Sequence, residues 1–174
     1  VDSLFLRFRT ALDLGLYKRA FRALCDASIL ISSHDSPIEL HEHLEVQKTI
    51  LLQIRENRLP AAIQLLNLIN FYEKTPIPPS MPIQSLIDLA LLTALASGLE
   101  TKEDTSYEKL LGCKTLSREQ VIEQLLSKVQ RLTLKRFTAV AEEHKNPTEI
   151  CLAFRDLLSE YGKEFQVPIL FKSL

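Results

Sequence analysis

The sequence predicts an all-α fold, a repeat-like array or bundle of about seven helices. Three observations predict it. Apolar residues recur at helical spacing in every long segment. Three motifs, Ser36-Pro37-Ile38-Glu39, Ser117-Arg118-Glu119-Gln120 and Asn146-Pro147-Thr148-Glu149, have the form of capping boxes that open helices. The chain holds only 4 glycines in 174 residues, too few for the tight turns of a β-rich fold or for a Gly-rich phosphate loop. The expected content is roughly 65–75% helix with no sheet.

The elements follow in order. Leu4, Phe5, Phe8, Ala11 and Leu12 share one face of a helix from about Asp2 to Leu14, which Gly15 can stop. Ala20, Phe21, Leu24, Ala27 and Ile31 share a face of a second, from about Leu16 to Ile31. After the turn His34–Pro37, the first capping motif opens a third helix to about Glu56, with Leu40, Leu44, Gln47, Leu51 and Ile54 in step. A break at Asn57-Arg58 precedes a helix with Pro60 in its first turn, reaching about Tyr72.

Four of the 8 prolines fall between Thr75 and Pro82, so this segment must be an extended connector and is the candidate sub-boundary in a single domain spanning 1–174. Ile83 to Ser97 is apolar on all faces, which suits a central helix closed by Gly98. A polar loop from Glu100 to Thr105 and one helical turn at Tyr107–Leu111 follow. The second capping motif opens a long helix to about Glu143, and the third a helix to Tyr161. The tail Phe165–Leu174 is short and apolar.

Composition narrows the function. Hydrophobic residues are 46% and charged residues 25%, ordinary for a folded globular chain. A net charge of −1 steers the whole domain toward neither nucleic acid nor an anionic membrane. No segment has the apolar length of a membrane span. Three scattered cysteines, Cys25, Cys113 and Cys151, are no disulfide framework and indicate an intracellular protein, cytoplasmic or nuclear. The start, Val1-Asp2-Ser3-Leu4, reads as a fragment of a longer chain.

Two helix-joining turns stand out, about 42 residues apart: Asp13-Leu14-Gly15-Leu16-Tyr17-Lys18-Arg19-Ala20 and Arg55-Glu56-Asn57-Arg58-Leu59-Pro60-Ala61-Ala62. With Leu91-Leu92-Thr93-Ala94-Leu95 and Ser106-Tyr107-Glu108-Lys109-Leu110-Leu111, their order resembles the CTLH–CRA helical module over about Phe8 to Leu132. The second turn departs from that family in having Asn57-Arg58 for its usual Gly-Asp pair. The resemblance implies a helical scaffold subunit, as in multisubunit ubiquitin ligases and related adaptors. Generic helical scaffolds, nucleoporin-type solenoids among them, match the first turn as well, whereas the spacing of about 34 residues of true TPR repeats is not kept.

Candidate chemistry is sparse. His34, His41 and His43 lie close together, but His41 and His43 are i and i+2, on different faces of a helix, where they cannot share one metal ion. They read as solvated surface histidines, and no metal or cofactor is expected. Cys25 and Cys151 read as small core residues; Cys113, between Gly112 and Lys114, is the candidate reactive thiol. None of the carboxylates sits where burial would tune it for catalysis. Lys128, Arg131, Lys135 and Arg136 form a basic stripe at i, i+3, i+7 and i+8 on the 117–143 helix, with Arg118 on the same helix. The stripe offers a face for nucleic acid, although aromatic residues for base stacking are missing.

The expected function is a non-catalytic scaffold or adaptor binding other protein subunits, with a nucleic-acid-associated helical domain as the alternative. Terminal helices have one neighbour each, so unmatched apolar faces are expected there. The candidate partner-binding residues are Leu4, Phe5 and Phe8 at one end and Phe165, Val167, Ile169, Leu170 and Phe171 at the other.

Overall fold

The computed structural model describes residues 1–79, 82–99, 116–129 and 138–161. Of these, 81% are helical and none is in a strand. Helix α1 is Asp2–Asp13, α2 Tyr17–Ser33, α3 Ile38–Ile54, α4 Arg58–Lys74 and α5 Ile83–Ala96. A 3₁₀ turn, Ser97–Leu99, follows α5; then come α6, Arg118–Leu126, a short helical stretch at 138–143, and α7, Pro147–Tyr161.

From α1 to α5 each helix packs on the next, as short connections require of antiparallel neighbours. α5 also meets α6 and α7 and is the centre of the array. Its apolar circumference fits that place: Leu86, Leu89, Ala90, Leu91, Leu92, Ala94 and Ala96 are all buried. Leu95 is half-buried against the same core.

The two hairpin turns share a left-handed residue just after the first helix of the pair. Beyond α1, Leu16 N donates to Ala11 O at 2.8 Å and Gly15 N to Leu12 O at 3.0 Å, the paired bonds of a Schellman motif. Gly15 takes φ +70°, where a Cβ would be strained. Beyond α3, Glu56 takes φ +55° in the equivalent place and its N donates to Gln53 O at 3.1 Å. Ala20 and Ala61, alike in the two hairpins, are buried where the helices close on each other. The two turns lie at one end of the array, with the Arg55 guanidinium 4.7 Å from the Tyr17 ring centre.

Polar groups tie α3 to α4. The Gln64 amide donates to Glu45 Oε2 at 2.7 Å and to the Glu45 carbonyl at 3.1 Å, while Lys48 Nζ donates to Glu45 Oε1 at 3.0 Å. The Tyr72 hydroxyl donates to Glu42 Oε1 at 2.8 Å.

Two helix boundaries differ from the sequence expectation. The capping box at Ser36 does not form. Pro37, at φ −55° and ψ 147°, is itself the residue before the helix, so the Ser36 side chain is one position too early, and Ser36 N donates to His34 O instead. The box at Ser117 is complete: Gln120 N donates to Ser117 Oγ at 3.2 Å and Ser117 N to Gln120 Oε1 at 2.9 Å. Asn146 Oδ1 accepts from Glu149 N at 2.9 Å. The helix from Ser117 does not run on to Glu143. It stops at Leu126, where Ser127 Oγ donates to Gln124 O at 2.7 Å and Lys128 N turns back to Leu125 O. The connector is extended at Thr75 (φ −120°, ψ 153°), and 75–79 and Pro82 hold no helix.

Candidate functional site

The α1–α2 hairpin covers α3 with one side and leaves the other side open. Along α2, Leu16, Arg19, Arg22, Asp26, Ile29 and Leu30 fall at helical spacing on the side away from the core, opposite the buried Ala20, Leu24, Ala27 and Ile31. Along α1, Leu6, Arg7, Thr10 and Leu14 do the same. Between these rows runs an open groove of about 560 Å³, floored by Leu4, Ala11 and Ala23.

Two properties mark this groove. Leu6 and Leu14 are 66% and 67% exposed, and together with the exposed Leu16 they line the groove. An apolar surface concentrated in one place marks a contact site, whereas scattered ones do not. Second, Arg7, Arg19 and Arg22 line the groove, and their guanidinium groups make no hydrogen bond or ion pair among the described residues. Asp26 is the single acidic lining residue.

The structure places the expected contact residues of the first helix as follows. Leu4 and Phe8 are buried, Phe8 completely, because the row that follows the strongest apolar period turns inward. Phe5 is half-buried, its ring edge-on to His43 at 4.4 Å. The exposed leucines Leu6 and Leu14 were not among the expected contact residues; the signal for them is that they sit off the main apolar row. Phe165, Val167, Ile169, Leu170 and Phe171 lie outside the described residues.

The helix expected to carry the basic stripe over 117–143 is interrupted after Leu126. Lys128 stands beyond the end of α6 and pairs with Glu73 at 2.9 Å. Arg131, Lys135 and Arg136 lie outside the described residues. Arg118 faces inward: its Nε donates to Ala94 O and its Nη2 to Leu95 O, both at 3.1 Å, closing the C-terminal turn of α5 where a cation is favoured.

The histidines are not uniformly solvated. His34 Nδ1 lies 2.9 Å from Leu30 O at the end of α2. His43 is half-buried against Phe5, and that burial lowers its pKa below the ordinary 6.5, with Glu42 and Asp2 pulling the other way. Among the described residues no group of three or more His, Cys, Asp and Glu side chains is placed to hold a metal ion. Cys151 is buried and Cys25 half-buried; Cys113 lies outside the described residues. No described helix is long and apolar enough to cross a membrane.

Comparison with known proteins adds no relative: no family model matches the chain, and no curated protein matches it.

Proposed function

We propose that this chain is a non-catalytic scaffold or adaptor module that binds other protein subunits inside the cell, through the open face of its first hairpin. The observation that carries this reading is the exposure of Leu6, Leu14, Leu16, Ile29 and Leu30 on one hairpin of an otherwise well-packed array. Exposed leucines cost solvation free energy, about 25 cal/mol per Å² of apolar surface left in water, which a protein partner recovers. The hairpin turns are also the residues on which the likeness to CTLH–CRA scaffolds rests, and the left-handed residue they share supports a repeat-built interaction surface. The nucleic-acid alternative loses support from Lys128, which is engaged by Glu73.

The test places a photo-crosslinking residue at Leu14 in the chain expressed in cells, with the same residue at the exposed Glu39 as control. The proposal expects a defined protein adduct from position 14, reduced by Leu6→Asp in the same chain, with the thermal melt unchanged. Equal adducts from both positions, or an adduct indifferent to Leu6→Asp, would overturn it.

A further inference from the structure

We infer that the occupant of the α1–α2 groove is an acidic amphipathic helix of another protein. The inference rests on the reading of this hairpin as a protein-binding surface and adds the chemistry of what it binds.

Charge complementarity selects the acidic partner. The groove presents Arg7, Arg19 and Arg22 against the single Asp26, on a chain whose overall charge is −1. The local surface therefore carries the sign opposite to the molecule. An arginine in a folded chain commonly ends on a carboxylate or a carbonyl, as Arg118 does on Ala94 and Leu95. Arg7, Arg19 and Arg22 instead hold their fork-shaped donors beside apolar side chains, with no acceptor among the described residues. A carboxylate there gains two parallel hydrogen bonds in a place that the neighbouring leucines partly dry, which strengthens the pairing.

Shape selects a helix. The groove runs from Leu4 to Leu14 beside α1, roughly 15 Å at 1.5 Å per residue, or about three helical turns. The floor is apolar (Leu4, Ala11, Ala23), the small alanines let a backbone approach closely, and the arginines stand on the rims. A helix lying between α1 and α2 would set apolar residues at i, i+3 or i+4 and i+7 into that floor and aim its flanking Glu or Asp at the rims. Backbone groups within a helix are already paired, so the groove need offer them no partner. An extended strand would require an unpaired backbone edge, and two helices supply none.

The probe is a phage-displayed library of helix-forming peptides of about three turns, panned against the 174-residue chain. The expected selection is a set of net-negative peptides with apolar residues at helical spacing. A synthetic representative should lose at least tenfold in affinity on Arg19→Glu/Arg22→Glu and on Leu14→Asp, with melts unchanged. It should also weaken as salt is raised, because the contacting charges are screened. Selected peptides that are neutral or basic, that lack helical spacing, or that bind the groove variants undiminished would overturn the inference. So would an empty selection, or a chain that dimerises in solution and becomes monomeric on Leu14→Asp, which would make a second copy the occupant. Those outcomes leave the crosslinking result at position 14 to stand or fall separately, so the loss of the acidic helix and the loss of the protein-binding surface can be told apart.

Discussion

The two hairpin turns offer a matched pair of perturbations, Gly15→Ala and Glu56→Gly, whose effects should have opposite sign. Both residues adopt the left-handed conformation, at φ +70° and +55°. For an L-residue this conformation costs about 1–2 kcal/mol per residue, from the approach of Cβ to the following carbonyl. At Gly15 nothing lies within 4 Å of a built Cβ, so the substitution adds no clash with neighbours and the backbone term stands alone. Alanine also stiffens the unfolded chain, which returns about 0.4–1 kcal/mol. The net expectation for Gly15→Ala is a loss of about 1 kcal/mol, and for Glu56→Gly a gain of about 0.5–1 kcal/mol.

Urea unfolding followed by circular dichroism reads both, and each kcal/mol should move Tm by about 2–4 °C in a chain of this size. The m-value should stay fixed, since neither change alters the surface exposed on unfolding. If Glu56→Gly destabilises, or Gly15→Ala is neutral, the turns do not hold the strained backbone described above. The pair bears on function too, since Gly15 sits between Leu14 and Leu16, and its turn sets the end of the groove they line. Gly15→Ala should therefore weaken any groove ligand more than Glu56→Gly does.

Three other perturbations test other parts of the array. A Cβ at Gly98 would sit 2.7 Å from the buried Cys151 Sγ and 3.2 Å from Arg118 Nη2, so Gly98→Ala should cost about 1–3 kcal/mol; adding Cys151→Ala should return part of it in the same denaturation assay. Leu92→Ala in the central helix should cost about 2–5 kcal/mol and Leu95→Ala less, since Leu92 is buried and Leu95 only half so; equal losses would contradict that placement. His43 has a folded pKa below 6.5, so the unfolded chain takes up its proton first as pH falls, and stability, full above about pH 6.5, declines toward the lowered value. Thermal melts from pH 8 to pH 5 should show a shallower fall for His43→Asn than for the parent chain.

Most of the fold was legible because period and punctuation agreed. α1, α2 and α5 carry an apolar row or an apolar circumference, and Gly15, Pro60 and the Ser117 box stand where helices end or begin. The misplaced boundaries have local causes. At Ser36 a serine–proline pair permits two registers of the helix start, and the backbone of Pro37 takes the one that excludes the box. At Ser127 the hydroxyl bonds back to the Gln124 carbonyl and ends a helix that propensity alone would extend. The second turn was visible as a break, but its left-handed residue was not, because a glutamate gives no conformational signal for φ +55°.

The candidate site was legible only in part, and the reason lies in what a helical period measures. A period shows that a helix has an apolar row; it does not say which neighbour the row meets. In α1, Leu4, Phe5 and Phe8 are expected to offer an unmatched apolar face, on the ground that a terminal helix has one neighbour. One neighbour is enough: α2 packs along α1 and the row turns to the core. What is left outside is the weaker row, Leu6 and Leu14 with Arg7 and Thr10 between them, which in sequence looks like an ordinary solvated face. The arginines were equally ambiguous. Arg118 and Arg19 are both basic residues near a helix start, yet one closes the end of α5 and the other stands on a groove rim with no side-chain partner among the described residues. Their difference is tertiary, since it depends on whether a neighbouring helix brings carbonyl oxygens within reach. A surface of this kind is recognised by the absence of local partners for side chains able to make them, and that property exists only once the chain has folded.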